Sequence, residues 1–393
     1  MSNRLRGALR GPSVTRRLFS VKAHTLYSPT PAQVEQYLGD SLSSTSATAY
    51  LLSTSIDPSR LQSLISPLQS ISSIGSFSSP LPGQEPSLSI VTFDKGVTFQ
   101  TDLSGRPPVE VGRFKRPGQG LRNDDLKGTE IGEGEAIRKE EGWAGLWKGE
   151  AETSNIPELS GVSAKSFFLL TDGRPTPVLQ GLHAMFPRAP KLGLVTAPTP
   201  FLTGRPHTLI HDRSIASAGT VGVAIDHEID VTIDFGLSPL TGPLTVASAQ
   251  GNLLMQFEEG NGNPTQTLMA ALHQRDAGKY SEKDEELFLK IEDRMVKILS
   301  GDPSRGALSL DMVEPLREGQ TVQFMHRDRQ MNGPPSDSDV LLQTLPSSEE
   351  VEGTAIQSAP RIQPGVSIAS DKGFVYGNTV CVVPHAHARM SVS

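Results

Sequence analysis

Residues 166–215 read SFFLLTDGRPTPVLQGLHAMFPRAPKLGLVTAPTPFLTGRPHTLIHDRSI, and residues 48–97 read TAYLLSTSIDPSRLQSLISPLQSISSIGSFSSPLPGQEPSLSIVTFDKGV. Placed at a constant offset of 118 the two segments align without a gap. Leu51, Leu52, Leu61, Gln62, Leu64, Gly75, Pro80, Pro82 and Asp94 then meet Leu169, Leu170, Leu179, Gln180, Leu182, Gly193, Pro198, Pro200 and Asp212. The matches fall on apolar element centres and on turn residues, as expected of a duplicated strand–helix–strand–loop–strand unit. Shared α/β grammar without duplication is the competing reading. In the first copy Thr48–Ser53 reads as a buried strand. Asp57-Pro58 opens a helix carrying Leu61, Leu64, Ile65 and Leu68 at helical spacing, and Ile71–Phe77 and Leu88–Phe93 follow as strands.

Working outward, Thr30-Pro31 opens a further helix through Leu38, proline being tolerated at the first helical position. Residues 101–160 are rich in Gly, Pro and charge and read as a polar insertion in a part spanning 20–240. Its end holds Trp143, Leu146 and Trp147, either an anchor folded onto the parent domain or a partner-docking motif. Beyond the second copy, Val221–Ile225, Ile229–Phe235, Leu244–Ala247 and Leu253–Phe257 read as strands, with Gly251-Asn252 as a hairpin turn. Asn263-Pro264 caps a helix through Leu272. Ser281 and Asp284 form a capping box for another helix, burying Leu287, Phe288, Ile291, Met295, Ile298 and Leu299 up to Gly301. Ala307–Met312 and Thr321–Met325 are strands, residues 330–365 a second polar insertion, and Gly373–Val383 a final strand pair in a part spanning 241–393. The fold class is α+β, strand-rich and in two parts.

The first twenty residues carry Arg4, Arg6, Arg10, Arg16 and Arg17 and no acid, the first acidic residue being Glu35. This is transit-peptide composition, and Arg17-Leu18-Phe19-Ser20 suits a matrix-protease cut before Ser20. A mitochondrial presequence over 1–19 is therefore expected, with the mature protein in the matrix. Losing five arginines takes the net charge from −7 to −12 (−7 − 5). So acidic a chain repels phosphate backbones, which argues against nucleic-acid partners. No uninterrupted apolar stretch of membrane-spanning length occurs, and the single cysteine, Cys381, excludes both an internal disulfide and a thiolate zinc cage.

Catalytic signatures are missing: no G-x-S-x-G, P-loop or G-x-G-x-x-G follows a strand. His207 and His211, with Asp212 beside them, lie on one face of an extended segment. His385 and His387 do so in the tail, and neither pair has trusted metal spacing. Asp226-His227-Glu228 reads as a solvated turn and Cys381 as a small core hydrophobe. One polar feature recurs. Gly75-Ser76 with Ser78-Ser79 in the first copy, and Gly193 with Thr196 in the second, put glycine and hydroxyls at a strand end. Backbone N–H groups and hydroxyls presented together suit a carboxylate or another small polar ligand, and turn-forming residues without a ligand are the alternative.

From Ser166 onward the chain resembles the FIST family, sensory domains named for F-box and intracellular signal transduction proteins. The resemblance rests on Phe167–Gly173, Val178–Leu182, Phe186-Pro187, Lys191–Leu194 and Ser217–Ala224. It continues through Gly242–Asn252 and Pro315–Phe324. The loop Ile74–Ser79 is similar to the family's glycine-hydroxyl loop without the cysteine often seen there. As a chain of ordered signals the likeness spans most of 45–385, the first part being FIST N-like and the second FIST C-like. It implies small-molecule sensing, with amino acids as proposed ligands, and in F-box members recruitment for ubiquitination. F-box helices and the C-terminal cysteine-glycine-arginine-glycine signature are absent here. The expectation is a non-enzymatic matrix protein, without cofactor or metal, that binds a small polar metabolite or a protein partner. An accessory subunit docking through Trp143 and Trp147, and a hydrolase using Asp212 or Asp226 with a histidine, are the alternatives.

Overall fold

All seven residues from Ala47 to Ser53 are buried, although alternate side chains of a strand point to opposite faces. A strand buried on both faces needs cover on each side, and the architecture follows from supplying it. In the computed structural model the residues described are 21–41, 46–81, 83–105, 156–200, 204–260, 262–275, 286–301, 306–312, 315–327, 340–345 and 359–392. Trp143, Leu146, Trp147 and the expected presequence lie outside them.

The chain opens with β1 (Val21–Tyr27), α1 (Pro31–Ser41), β2 (Ala47–Ser53), α2 (Pro58–Leu68), β3 (Ser73–Ser78), β4 (Ser87–Phe93) and β5 (Gly96–Thr101). Then come β6 (Ser166–Thr171), α3 (Thr176–Met185), β7 (Lys191–Val195), β8 (Leu209–His211), β9 (Ser214–Ala216), β10 (Thr220–Ile225) and β11 (Ile229–Asp234). Next are β12 (Leu237–Pro239), β13 (Leu244–Gln250), β14 (Leu253–Phe257), α4 (Pro264–Arg275), β15 (Leu287–Ile291), β16 (Arg294–Gly301), β17 (Leu308–Leu310) and β18 (Thr321–Arg327). The chain closes with β19 (Val340–Thr344), β20 (Arg361–Pro364), β21 (Val366–Ser370), β22 (Phe374–Tyr376), β23 (Thr379–Cys381) and β24 (His387–Val392).

One sheet has the order β20-β1-β4-β2-β3-β8-β9 and a second the order β23-β22-β7-β6-β10-β5. Ala49, Leu51 and Phe93 of the first share a core with Phe168, Leu170 and Val223 of the second. The sheets therefore pack face to face. On the outer face of the first, Tyr50, Leu52 and Ile90 pack under Leu38 of α1 and Leu61, Leu64 and Leu68 of α2. On the outer face of the second, Phe167 and Leu169 pack under Val178, Leu179 and Leu182 of α3. The result is helix, sheet, sheet, helix. Asp57 starts α2 as expected, its Oδ1 accepting the Ser59 N–H at 2.9 Å.

β2–α2–β3 and β6–α3–β7 follow the offset of 118, each enclosing a parallel strand pair with a helical crossover. The likeness ends there. β4 pairs with β2 in its own sheet, whereas β8, at the aligned position, crosses to the other sheet and pairs with β3. The strand beside β6 is β10, outside the aligned span. The registers also slip by one: Tyr50 faces Gly75, but Phe168 faces Leu192. An ungapped superposition of 48–97 on 166–215 is thus not how the two segments are built.

Two expectations in the C-terminal part are corrected. The helix expected from Ser281 to Gly301 is instead, in its described residues, the hairpin β15–β16, turning at Glu292 with φ of 55°. Leu289 and Ile291 enter one core and Phe288 another, so both faces of β15 are apolar and the run imitates a helical stripe. The expected polar insertion 330–365 contains β19, whose Val340–Leu342 are buried between β24 and β21. β13, β14, β17, β16, β15 and β18 close into a ring through the pairing of β18 with β15, enclosing Val246, Leu254, Leu289, Val322 and Phe324. After the ring the chain returns to the first part: β20 pairs with β1, β22 with β7 and β24 with β11.

Candidate functional site

The carboxyl ends of β3 and β7 meet, the Ala197 N–H donating to Phe77 O at 3.0 Å. Ends of parallel strands expose main-chain groups that no ladder uses, and ligands of α/β sheets gather there. The turn between β21 and β22 joins both ends. Ser79 N–H donates to Ala369 O at 3.0 Å, and Ser79 Oγ to Asp371 Oδ1 at 3.2 Å. On the other side Ser370 Oγ donates to Val195 O at 2.5 Å, and Val195 N–H to Gly373 O at 3.1 Å.

The two expected glycine-hydroxyl loops are thus brought together, but not all of their residues face the junction. Gly75 and Gly193 lie within strands. A Cβ on Gly75 would stand 2.1 Å from the Tyr50 ring, and one on Gly193 2.3 Å from Leu169 O, so both serve close packing. Ser76 is fully buried and donates to Thr208 O at 2.8 Å. Ser78 is buried, and its carbonyl accepts the Thr54 N–H at 3.0 Å. Ser79 reaches the junction itself, and Thr196, fully buried, reaches it through the side chain its hydroxyl holds.

His207 joins them. Its Nδ1 lies 3.2 Å from Thr196 Oγ1, which in turn lies 3.0 Å from Thr171 O. His211 bonds Thr98 instead, so the two histidines weighed as a pair serve different places. Burial holds the His207 imidazole below its ordinary pKa; the carboxylates of Asp172 and Asp371 oppose that, and the cations of Arg174 and Lys372 add to it. Asp172 is buried and already occupied: it accepts Ser104 Oγ–H at 2.7 Å, Gly219 N–H at 2.8 Å and Arg174 N–H at 2.8 Å. It staples the loops around β6. Asp212, considered above for hydrolysis, accepts the Ser73 N–H at 2.8 Å. Asp371 and Lys372, which pair at 3.2 Å, carried no local sequence signal, because the contact of Asp371 with Ser79 spans 292 residues.

A family model for the FIST N domain matches residues 71–259, from just before β3 to just past β14. Residues 71–259 are a FIST N domain. FIST domains are sensory, ligand-binding modules of signalling proteins. No curated protein matches the chain. The FIST N span contributes Ser79, Thr196 and His207 to the junction, and the β21–β22 turn reaches it from outside that span. Among the described residues no three His, Cys, Asp or Glu side chains group to hold a metal ion. No described helix is long and apolar enough to cross a membrane.

Proposed function

We propose that this protein is a non-enzymatic sensor of the mitochondrial matrix which binds a small polar metabolite where β3 and β7 end. The observation that carries the reading is the convergence of Ser79, Thr196 and His207 within a FIST N domain, Ser79 and Thr196 positioned by main-chain hydrogen bonds and His207 by its bond to Thr196 Oγ1. The Ser79 hydroxyl and the His207 imidazole select polar ligands by direction. The test is thermal unfolding of residues 20–393 against amino acids and small hydroxy acids. A ligand that raises the midpoint of the intact protein and not of the Ser79→Ala/Thr196→Val variant supports the site. Equal stabilisation of both places binding elsewhere.

The address rests on the arginine-rich, acid-free first twenty residues. Removing residues 1–19 leaves every described element, beginning with β1 at Val21, intact. Protein recovered from mitochondria is expected to begin at Ser20 or within a few residues of it, and an intact Met1 in that fraction overturns the assignment.

A further inference from the structure

We propose that His207 sets the ligand class of this site, presenting a bare Nε2 acceptor that selects ligands bringing an N–H or O–H donor, and that its protonation inverts this preference. The inference rests on the binding site proposed above. It follows from where one proton must lie. Thr196 Oγ1 and Thr171 O are 3.0 Å apart, and two oxygens at that distance need a proton between them. Only the threonine hydroxyl can supply it. With its hydrogen directed to Thr171 O, Thr196 Oγ1 can only accept from the ring, so Nδ1 of His207 carries the proton.

In the neutral ring Nε2 is then a lone-pair acceptor. No described group takes it: Thr196 is the one hydrogen-bond partner His207 has among the described residues. The relay is itself held in place, because Thr196 N–H also donates to Thr171 O, at 2.9 Å. The tautomer is therefore fixed by backbone, and a ligand does not choose it.

The charged groups facing the ring come in two opposite pairs. Asp172 and Arg174 stand on the β6–α3 loop, and Asp371 and Lys372 on the β21–β22 turn. Their charges largely cancel, so whether Nε2 accepts or donates decides which ligand is favoured. In the neutral state the site favours an ammonium, amide N–H or hydroxyl over an oxyanion. With the ring protonated, Nε2–H becomes a donor and a carboxylate is favoured. Burial keeps the neutral form dominant at neutral pH.

The test uses the protein from residue 20 onward uniformly labelled with ¹⁵N, the His207 ring resonances assigned with His207→Gln and the Ser79 and Asp371 amides with Ser79→Ala and Asp371→Asn. Ethanolamine and glycolate serve as a matched pair of small probes. At pH 8 His207 is expected as the Nδ1–H tautomer, with ethanolamine shifting its Nε2 resonance and binding at least about tenfold more tightly than glycolate. At pH 5 the order is expected to reverse. His207→Gln, whose amide both donates and accepts, is expected to bind the two probes within about threefold at either pH. An Nε2–H tautomer at pH 8, or a probe preference unchanged by pH or by the substitution, overturns the inference. If the probes shift Ser79 and Asp371 but never His207, the binding site stands and this inference falls. If neither probe perturbs the junction at either pH, both fall.

Discussion

Replacing Gly75 by alanine tests the packing that holds β2 and β3 together. The added Cβ would stand 2.1, 2.2 and 2.7 Å from three ring carbons of Tyr50, which is fully buried. Ordinary carbon contacts lie near 3.5–4.0 Å, so the ring must move by about 1.5 Å. It faces Gly75 across the parallel ladder, and its core also holds Leu52, Ile90 and Ile210, so no open side receives it. Overpacking of this kind costs about 3 kcal/mol. Tyr50→Ala removes a buried aromatic ring and costs about 3–5 kcal/mol. The alanine methyl at 75 then occupies space the ring has left. The double variant is therefore expected to lose about 2 kcal/mol less than the sum of the single losses. Urea unfolding followed by far-ultraviolet circular dichroism measures all four corners of the cycle. Gly173→Ala is the control, since a Cβ there meets nothing within 4 Å, and its cost is expected to stay under about 0.5 kcal/mol. Strict additivity, within about 0.5 kcal/mol, would refute the reasoning, because the glycine would then be needed for something other than this ring.

Further outcomes follow from buried polar groups. Tyr50 OH is buried and has no hydrogen-bond partner among the described residues, so Tyr50→Phe is expected to be neutral or to stabilise by up to about 1 kcal/mol in the same assay. A loss above about 1 kcal/mol would reveal a bond made by this hydroxyl. His207 has a lowered pKa in the folded state, so the unfolded chain binds the extra proton first as pH falls. Its contribution to stability is full above its unfolded value of about 6.5 and is lost as pH falls from there toward the folded value. Midpoints measured from pH 8 to pH 5 should therefore fall less steeply in His207→Gln, and parallel profiles would contradict the assignment. Burial pushes the Cys381 thiol up to about 12, and Cys381 is 2% exposed. At pH 8 it is expected to resist a disulfide reagent in the native protein and to react stoichiometrically in urea, and rapid native labelling would refute its core position.

What the sequence disclosed, it disclosed through local rules. Asp57-Pro58, Asn263-Pro264 and Gly251-Asn252 mark boundaries that depend on neighbours a few residues away, and each stands where expected. β15 misled because its neighbours on both faces are distant in sequence. A helical stripe and a doubly buried strand cannot be told apart from Leu287 to Ile291 alone. β19 was concealed in the same way, as five residues in a polar surrounding whose partners, β21 and β24, come later in the chain. At the proposed site, Ser79 and Thr196 were drawn in by the recurrence of a glycine-hydroxyl loop. Gly75 and Gly193 were drawn in by the same recurrence, although sheet packing, not ligand approach, demands them. Asp371 is held by a contact with no sequence-local trace.

Why the last strands return to the first sheets is answered by the core. Phe374, Cys381, Val383, Ala388 and Met390 share one cluster with Ala49, Leu51, Phe168 and Leu170. Without β22 the edge of β7 would expose its main chain, and the face carrying Leu192 and Leu194 would lose cover. The turn that links β21 to β22 is thereby fixed at both ends, by Ser79–Ala369 on one strand end and Val195–Gly373 on the other. In consequence Asp371 and Lys372 are placed beside His207 by contacts with residues nearly two hundred and nearly three hundred positions away. Interior packing and the geometry of the proposed site are here one arrangement: the FIST N span supplies the hydroxyls, the imidazole, Asp172 and Arg174, and strands from beyond it hold the other two charges, Asp371 and Lys372.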